Sequence, residues 1–292
     1  MPKRRHILIL LACGLAVVLY AILSIPREPS YKGKRLSEWI EIHGIVAHSM
    51  SDREEAGEAI RHIGTNGLPY LLAWIREPQQ ATWQIRLAKA SEALPERLRP
   101  VSLYAYSARP FCASLAVGAL GPAANNAIPE LTRLANDTND LDRARIAIGA
   151  LGYLGAQAFP TLLALLTNQN KELCCYAARQ MCYQGSRARP AIPVLVTYLS
   201  DQTMAETSAN VLGRLALEPN LVVPALSNSL HDPQKSVRRA SAEALAGFTN
   251  AIAPAATAIT TSLTDPDPGV RERATNALLK IAPEYLTNAP PK

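Results

Sequence analysis

The chain has 292 residues, of which 48% are hydrophobic and only 5% aromatic. Few aromatics beside abundant Ala and Leu disfavour a β-sandwich and favour helices packed through small residues. The formal net charge is +6; Lys3, Arg4 and Arg5 supply half of it, and residues 26–292 hold 27 bases against 24 acids, too slight an excess to mark a nucleic-acid binder on charge alone.

Residues 1–6 are basic, and Ile7 to Ile25 carry no charge over 19 residues. At about 1.5 Å per residue this run spans the ~30 Å hydrocarbon core of a bilayer. It predicts one N-terminal transmembrane helix. A cleaved signal peptide has a similar layout, but the run is longer than an ordinary signal and no Ala-x-Ala site follows it. Leu10-Leu11-Ala12-Cys13 resembles a lipoprotein box, with too little apolar chain before Cys13. Three bases precede the run, and Arg27, Lys32, Lys34 and Arg35 follow it, so charge counting does not orient it. The signal-like layout favours a body on the exported side. Residues 26–37, with Pro26, Pro29 and Gly33, read as an extended linker ending at Ser37, a candidate N-cap for the first helix.

From residue 38 to 288 the chain repeats. Residues 232–245 and 265–278 superimpose with a shift of 33, matching Asp232 to Asp265, Val237 to Val270, Arg238 to Arg271, Ala244 to Ala277 and Leu245 to Leu278. A period of this size marks a solenoid. A Pro-x-Leu signal sets the register at Pro69, Pro129, Pro160, Pro193 and Pro224, with Pro254 in the same role. Proline suits the first turn of a helix, so each is expected to open the second helix of a pair. The first helix presents a narrow stripe, Val237, Ser241, Ala244 and Phe248, then Val270, Ala274, Ala277 and Ile281, at helical spacing. Gly64, Gly121, Gly155 and Gly185 are placed to end first helices. The resulting units are 54–77, 111–140, 141–170, 171–201, 202–232, 233–265 and 266–288, with a tail at 289–292.

Residues 78–110 break the period: they are one repeat long, lack the signature, and read as a degenerate repeat or an inserted helix and loop. Trp83, Tyr104 and Tyr106 stand there among Arg86, Arg97, Arg99 and Arg109, suited to a protein partner or a headgroup layer, or to covering the gap between units.

The pattern Asp-Pro-x-x-x-Val-Arg-x-x-Ala-x-x-Ala-Leu, with its Gly turn and Pro-x-Leu, resembles the HEAT-repeat proteins, and among them the short bacterial repeats of phycobilisome lyases. The resemblance covers 54–288. It implies an all-α, right-handed solenoid, a superhelix of antiparallel helix pairs whose concave face typically binds protein. It carries over no catalytic residue, because the shared positions are core, turn and cap.

Arg238 and Arg271, with Arg143 and Arg145, could form a basic ladder facing an anionic partner, or each could pair with a turn aspartate such as Asp232, Asp265 or Asp142. Cys175 and Cys182, seven apart on one helix, would lie about 10 Å apart, beyond disulfide reach. No CxxC spacing or His pair suggests a metal, and no nucleotide or nucleophile motif is present. The expected function is therefore a membrane-tethered, non-catalytic scaffold for an unidentified protein partner, with no cofactor and no metal. The resemblance also raises a lyase or lyase chaperone for a tetrapyrrole-bearing protein, and a nucleic-acid-binding HEAT-like protein.

Overall fold

A computed structural model describes residues 28–47, 49–77 and 103–287, the side chains of 103–107 and 287 excepted. The apolar run 7–25, the tail and Trp83, Arg86, Arg97 and Arg99 lie outside the described residues.

The linker expected over 26–37 differs in its described part, which is a hairpin: β1 (Ser30–Tyr31) pairs antiparallel with β2 (Lys34–Arg35). Lys32 and Gly33 both take positive φ, +49° and +79°, the requirement of a two-residue hairpin turn. Helix α1 (Leu36–Glu41) follows directly. Ser37 is inside it rather than capping it, and its backbone N–H and hydroxyl both donate to the Glu28 carboxylate. The Trp39 indole donates to the Tyr31 carbonyl at 3.0 Å, and the Tyr31 ring lies 4.1 Å from that of His62. The hairpin is thereby fastened over the first helices, the one β element in an otherwise helical set of described residues.

Helix pairs then follow: α2 (Met50–Ile63) and α3 (Leu68–Arg76); α4 (Leu103–Leu120) and α5 (Ile128–Ala135); α6 (Leu141–Leu154) and α7 (Phe159–Leu166); α8 (Lys171–Met181) and α9 (Ile192–Thr197); α10 (Ala205–Leu215) and α11 (Pro219–Ser229); α12 (Lys235–Leu245) and α13 (Ile252–Thr260); α14 (Pro268–Ile281), with α15 (Glu284–Thr287) behind it. The first helices α4, α6, α8, α10, α12 and α14 stack in one row, and each second helix packs on the first helix of the next pair. This is an all-α solenoid. Its continuous core is built mainly of Ala and Leu, as low aromatic content requires.

The punctuation works as the residues dictate. Gly64, Gly121, Gly155 and Gly185 all have φ between +55° and +69°, open to glycine at little cost, and each turns the chain into a short 3-10 segment. Pro69, Pro129, Pro160 and Pro193 sit in the first turn of α3, α5, α7 and α9. Pro224 does not: α11 begins at Pro219 and Pro224 lies in its interior. Two prolines compete for the start there, and the earlier one, at N1, is where a missing N–H costs nothing.

The irregular segment is shorter than its sequence suggests. Residues 103–110 already belong to α4, with Pro110 inside the helix. Helix α3 packs directly on α4, as every other second helix packs on the following first helix. Arg76 on α3 also bridges to Glu130 on α5 at 2.8 Å. The described layers that flank residues 78–102 are thus adjacent.

Among the described residues one stretch, 108–135, is long and apolar enough to cross a membrane. Gly121 breaks it into α4 and α5, and Cys112, Ala116, Val117, Leu131 and Leu134 are fully buried in the solenoid core.

Glu130 gives the fold a definite acid response. It accepts from Arg133 at 2.8 and 3.1 Å and from Arg76 at 2.8 Å. The Arg133 hydrogen bond, assisted by Arg76 against some desolvation, holds its carboxyl down at about 2. A depressed acid contributes stability above its unfolded pKa of about 4.5 and loses it as pH falls to about 2. Melting temperature should therefore fall across that window, and Glu130→Gln should flatten part of the fall. A melting curve unaltered in slope by the substitution would refute this role.

Candidate functional site

The turns joining one pair to the next share one construction. The Oδ1 of Asp137, Asn168, Asp201, Asp232 and Asp265 accepts the N–H two residues on, at 2.8–3.0 Å. In three of them a side chain six residues on closes the turn. The Nη1 of Arg238 and of Arg271 donates to the carbonyls of Asp232 and Asp265 at 2.9 and 2.7 Å. The Cys174 thiol takes the same position and donates to the Asn168 carbonyl at 3.0 Å. Arg143 instead pairs with Asp140 at 2.6 Å and with Asp137 at 3.6 Å.

Arg238 goes further and reaches the next layer, donating from Nε and Nη2 to both oxygens of Asp265 at 2.8 and 3.0 Å. Its side chain is 14% exposed and that of Asp265 7%. The hydrogen bond to Arg238 holds the Asp265 carboxyl below its usual range, against the cost of desolvation. Arg238 is thus no available cation for a partner; this correction follows from its donors being committed to the stack. Arg271 likewise braces its own turn. Lys171 with Asp201 and Arg273 with Glu243 add ion pairs between layers, at 2.9 and 3.1 Å.

The other sequence candidates fare differently. Tyr104 and Tyr106 lie on α4. Arg109 is not on a free surface: it is 17% exposed, 3.8 Å from Glu41 and 5.6 Å from the centre of the Trp74 ring. Burial outweighs Arg109 in raising the Glu41 carboxyl above its usual range, and burial again, with Glu41 nearby, pushes the neighbouring Cys112 thiol up to about 12. The sequence reading took Arg109 for a surface group because nothing local shows that α1, α3 and α4 converge on it.

A different surface is shaped to receive something. A groove of about 950 Å³ runs across the exposed faces of α8, α10, α12 and α14. Gly213 and Gly247 form its floor with Ala244. A Cβ on Gly213 would meet the Ala244 Cα at 2.4 Å, and one on Gly247 would meet the Gly213 carbonyl at 2.2 Å. Backbone therefore touches backbone between α10 and α12, and longer side chains stand as walls: Arg179, Glu206, Arg214, Glu243 and Lys280. At one end Tyr183 is 60% exposed. Its ring centre lies 5.8 Å from the Arg214 guanidinium and 6.3 Å from the Tyr153 ring. The sequence reading missed this site. Its signal is present: Gly118 and Gly152, like Gly213 and Gly247, recur 34 residues apart at positions where a neighbouring helix leaves no room for a Cβ.

The groove's chemistry is that of recognition. It offers guanidinium and ammonium groups, carboxylates, an amide at Asn210 and an exposed aromatic. Among the described residues no group of three His, Cys, Asp or Glu side chains could hold a metal, and Cys112 and Cys174 are buried free thiols.

Residues 222–252, comprising most of α11, the Asp232 turn and α12, match the family model of the HEAT repeat. The neighbouring layers repeat its aspartate turn and its helix-pair stacking. No curated protein matches the chain. Among solved structures, a chain from the complex of CpcE and CpcF of phycocyanin lyase from Nostoc sp. PCC7120 is 26% identical, covering 52% of this chain and 98% of its own at a TM-score of 0.45. A computationally designed armadillo repeat protein for modular peptide recognition is 17% identical, covering 73% and 99% at 0.43. Human deoxyhypusine hydroxylase in complex with glycerol is 16% identical, covering 84% and 95% at 0.36.

Proposed function

We propose that the chain is a non-catalytic scaffold, tethered to a membrane by residues 7–25 with its body on the exported side, that holds a protein partner in the groove over α8, α10, α12 and α14. The observation that carries this reading is the groove itself: it crosses four successive layers and combines mixed charge with an exposed tyrosine. An elongated recess with Tyr and Arg at one end has the residue types that dominate protein interfaces. A chemical step would need a nucleophile or acid–base pair poised there, whereas Glu206 and Arg214 on α10 and Glu243 on α12 are exposed side chains.

A photo-crosslinking amino acid at position 183 of the full chain, in its native membrane, tests this. It should capture one defined protein that the same probe at Leu221, exposed on α11 outside the groove, does not. Equal capture at both sites would refute the groove reading. Isolation of a coloured, covalently modified product would overturn the non-catalytic reading in favour of a lyase. Protease accessibility on intact cells reads the side of the membrane.

A further inference from the structure

We propose that the segment held in the groove is acidic: an extended stretch of about ten residues of the partner, rich in Asp or Glu. This rests on the groove reading above. The motivating observation is which cations the fold leaves without a carboxylate. Arg238, Arg273, Lys171 and Lys235 each pair with an acid one layer away, so the solenoid matches charges systematically along its stack. Arg179, Arg214 and Lys280 line the groove, are exposed, and have no ion pair among the described residues. Of the two acids there, Glu243 is already taken by Arg273 at 3.1 Å, which leaves Glu206 against three cations.

Geometry favours an extended protein segment over a flat anionic surface. The cations stand around a recess floored by Gly213, Ala244 and Gly247, where a narrow chain fits and a lipid surface does not. Four helices packed about 10 Å apart present some 30 Å of groove, matched by about nine or ten extended residues at ~3.3 Å each. Arg214 lies against the Tyr183 ring, 5.8 Å from its centre; a guanidinium held on an aromatic face keeps its N–H edges for a carboxylate and forms such pairs in fixed geometry. Charge pairing of this kind sets partner choice and association rate, and it weakens with salt.

The experiment uses the full chain in a neutral detergent and two labelled peptides of about ten residues, each with one aromatic: a Glu-rich peptide and its Gln counterpart. The Glu peptide should bind about tenfold more tightly at about 50 mM salt, and the preference should fall at about 300 mM. Arg179→Glu with Arg214→Glu should abolish the preference without lowering the melting temperature, since both side chains are exposed. Arg61→Glu on α2 should leave the preference intact. If the double reversal fails to fold, Arg179→Gln with Arg214→Gln replaces it and should weaken Glu-peptide binding about tenfold. Equal binding of the two peptides, or an acid preference that survives the reversal, would overturn the proposal. So would sedimentation with phosphatidylserine vesicles that depends on Arg179 and Arg214 in the absence of peptide binding. Loss of capture at position 183 after the reversal is the expected result; capture that survives the reversal refutes the acidic segment while the groove stands, and no capture by the unreversed chain refutes both.

Discussion

Replacing Arg238 by alanine should destabilise the solenoid by about 3–5 kcal/mol, the cost of leaving a buried charge without its partner. Asp265 is 7% exposed at its side chain, and both of its oxygens accept from this one guanidinium, its one cationic partner among the described residues. The same side chain satisfies the carbonyls of Asp232 and Pro233 at 2.9 and 3.2 Å. Truncation thus strands a carboxylate and loosens the turn before α12 together with the turn before α14. Asp265→Asn should cost less, about 1–2 kcal/mol, because an amide oxygen can still accept from the Asp267 N–H, bonded now at 2.8 Å. Thermal and denaturant melts at neutral pH read both variants, and the double substitution closes a cycle whose coupling should exceed about 1 kcal/mol. The pH sense is definite. The folded-state carboxyl of Asp265 is depressed chiefly by Arg238, so the pair contributes above the carboxylate range and fades as acid protonates Asp265. Arg238→Ala should therefore cost most at neutral pH and least in acid. A loss below about 1 kcal/mol at neutral pH would show that the brace is decorative.

Gly213→Val should cost about 3 kcal/mol, while Gly149→Ala should raise stability by about 1 kcal/mol, although both glycines lie inside first helices. The intrinsic gain from replacing a helical glycine is about 1 kcal/mol with Ala and only a few tenths with Val. At Gly149, on α6, an added Cβ meets nothing within 4 Å, so the gain stands. At Gly213, on α10, it would meet the Ala244 Cα at 2.4 Å and its carbonyl at 3.0 Å. Backbone cannot rotate away as a side chain can, and overpacking of this kind outweighs the propensity gain. Helices α10 and α12 would be forced apart and the groove floor lifted, so the variant should also lose the capture at position 183. Paired melts of the two proteins decide the matter; a stabilised Gly213→Val would mean that α10 and α12 do not touch there.

The repeat was legible because it is written in short-range chemistry. Aspartate sets a turn two residues on, proline starts a helix, glycine ends one, and alanine at steps of three and four marks the packed face. Each depends on near neighbours in the chain, so Val237, Ser241, Ala244 and Phe248 could be placed on one buried stripe without coordinates. The hairpin at 30–35 and the start of α11 at Pro219 were misread where two local signals compete and packing chooses between them.

The groove was not legible, for a related reason. Arg179, Glu206, Arg214, Glu243 and Lys280 are separated by up to a hundred residues and each reads as an ordinary helix-surface charge. Only stacking brings them to one recess, and only the contact of Gly213 with Ala244 gives that recess a floor. Stacking also reversed the standing of the sequence candidates, committing Arg238 to Asp265 and burying Arg109 between Glu41 and Trp74. The sequence by itself determined the period, the turns and the core stripe, because these are set within one repeat. The tertiary structure decided which charges are spent on the stack and which remain for a partner, because that depends on distances across repeats that no single repeat contains.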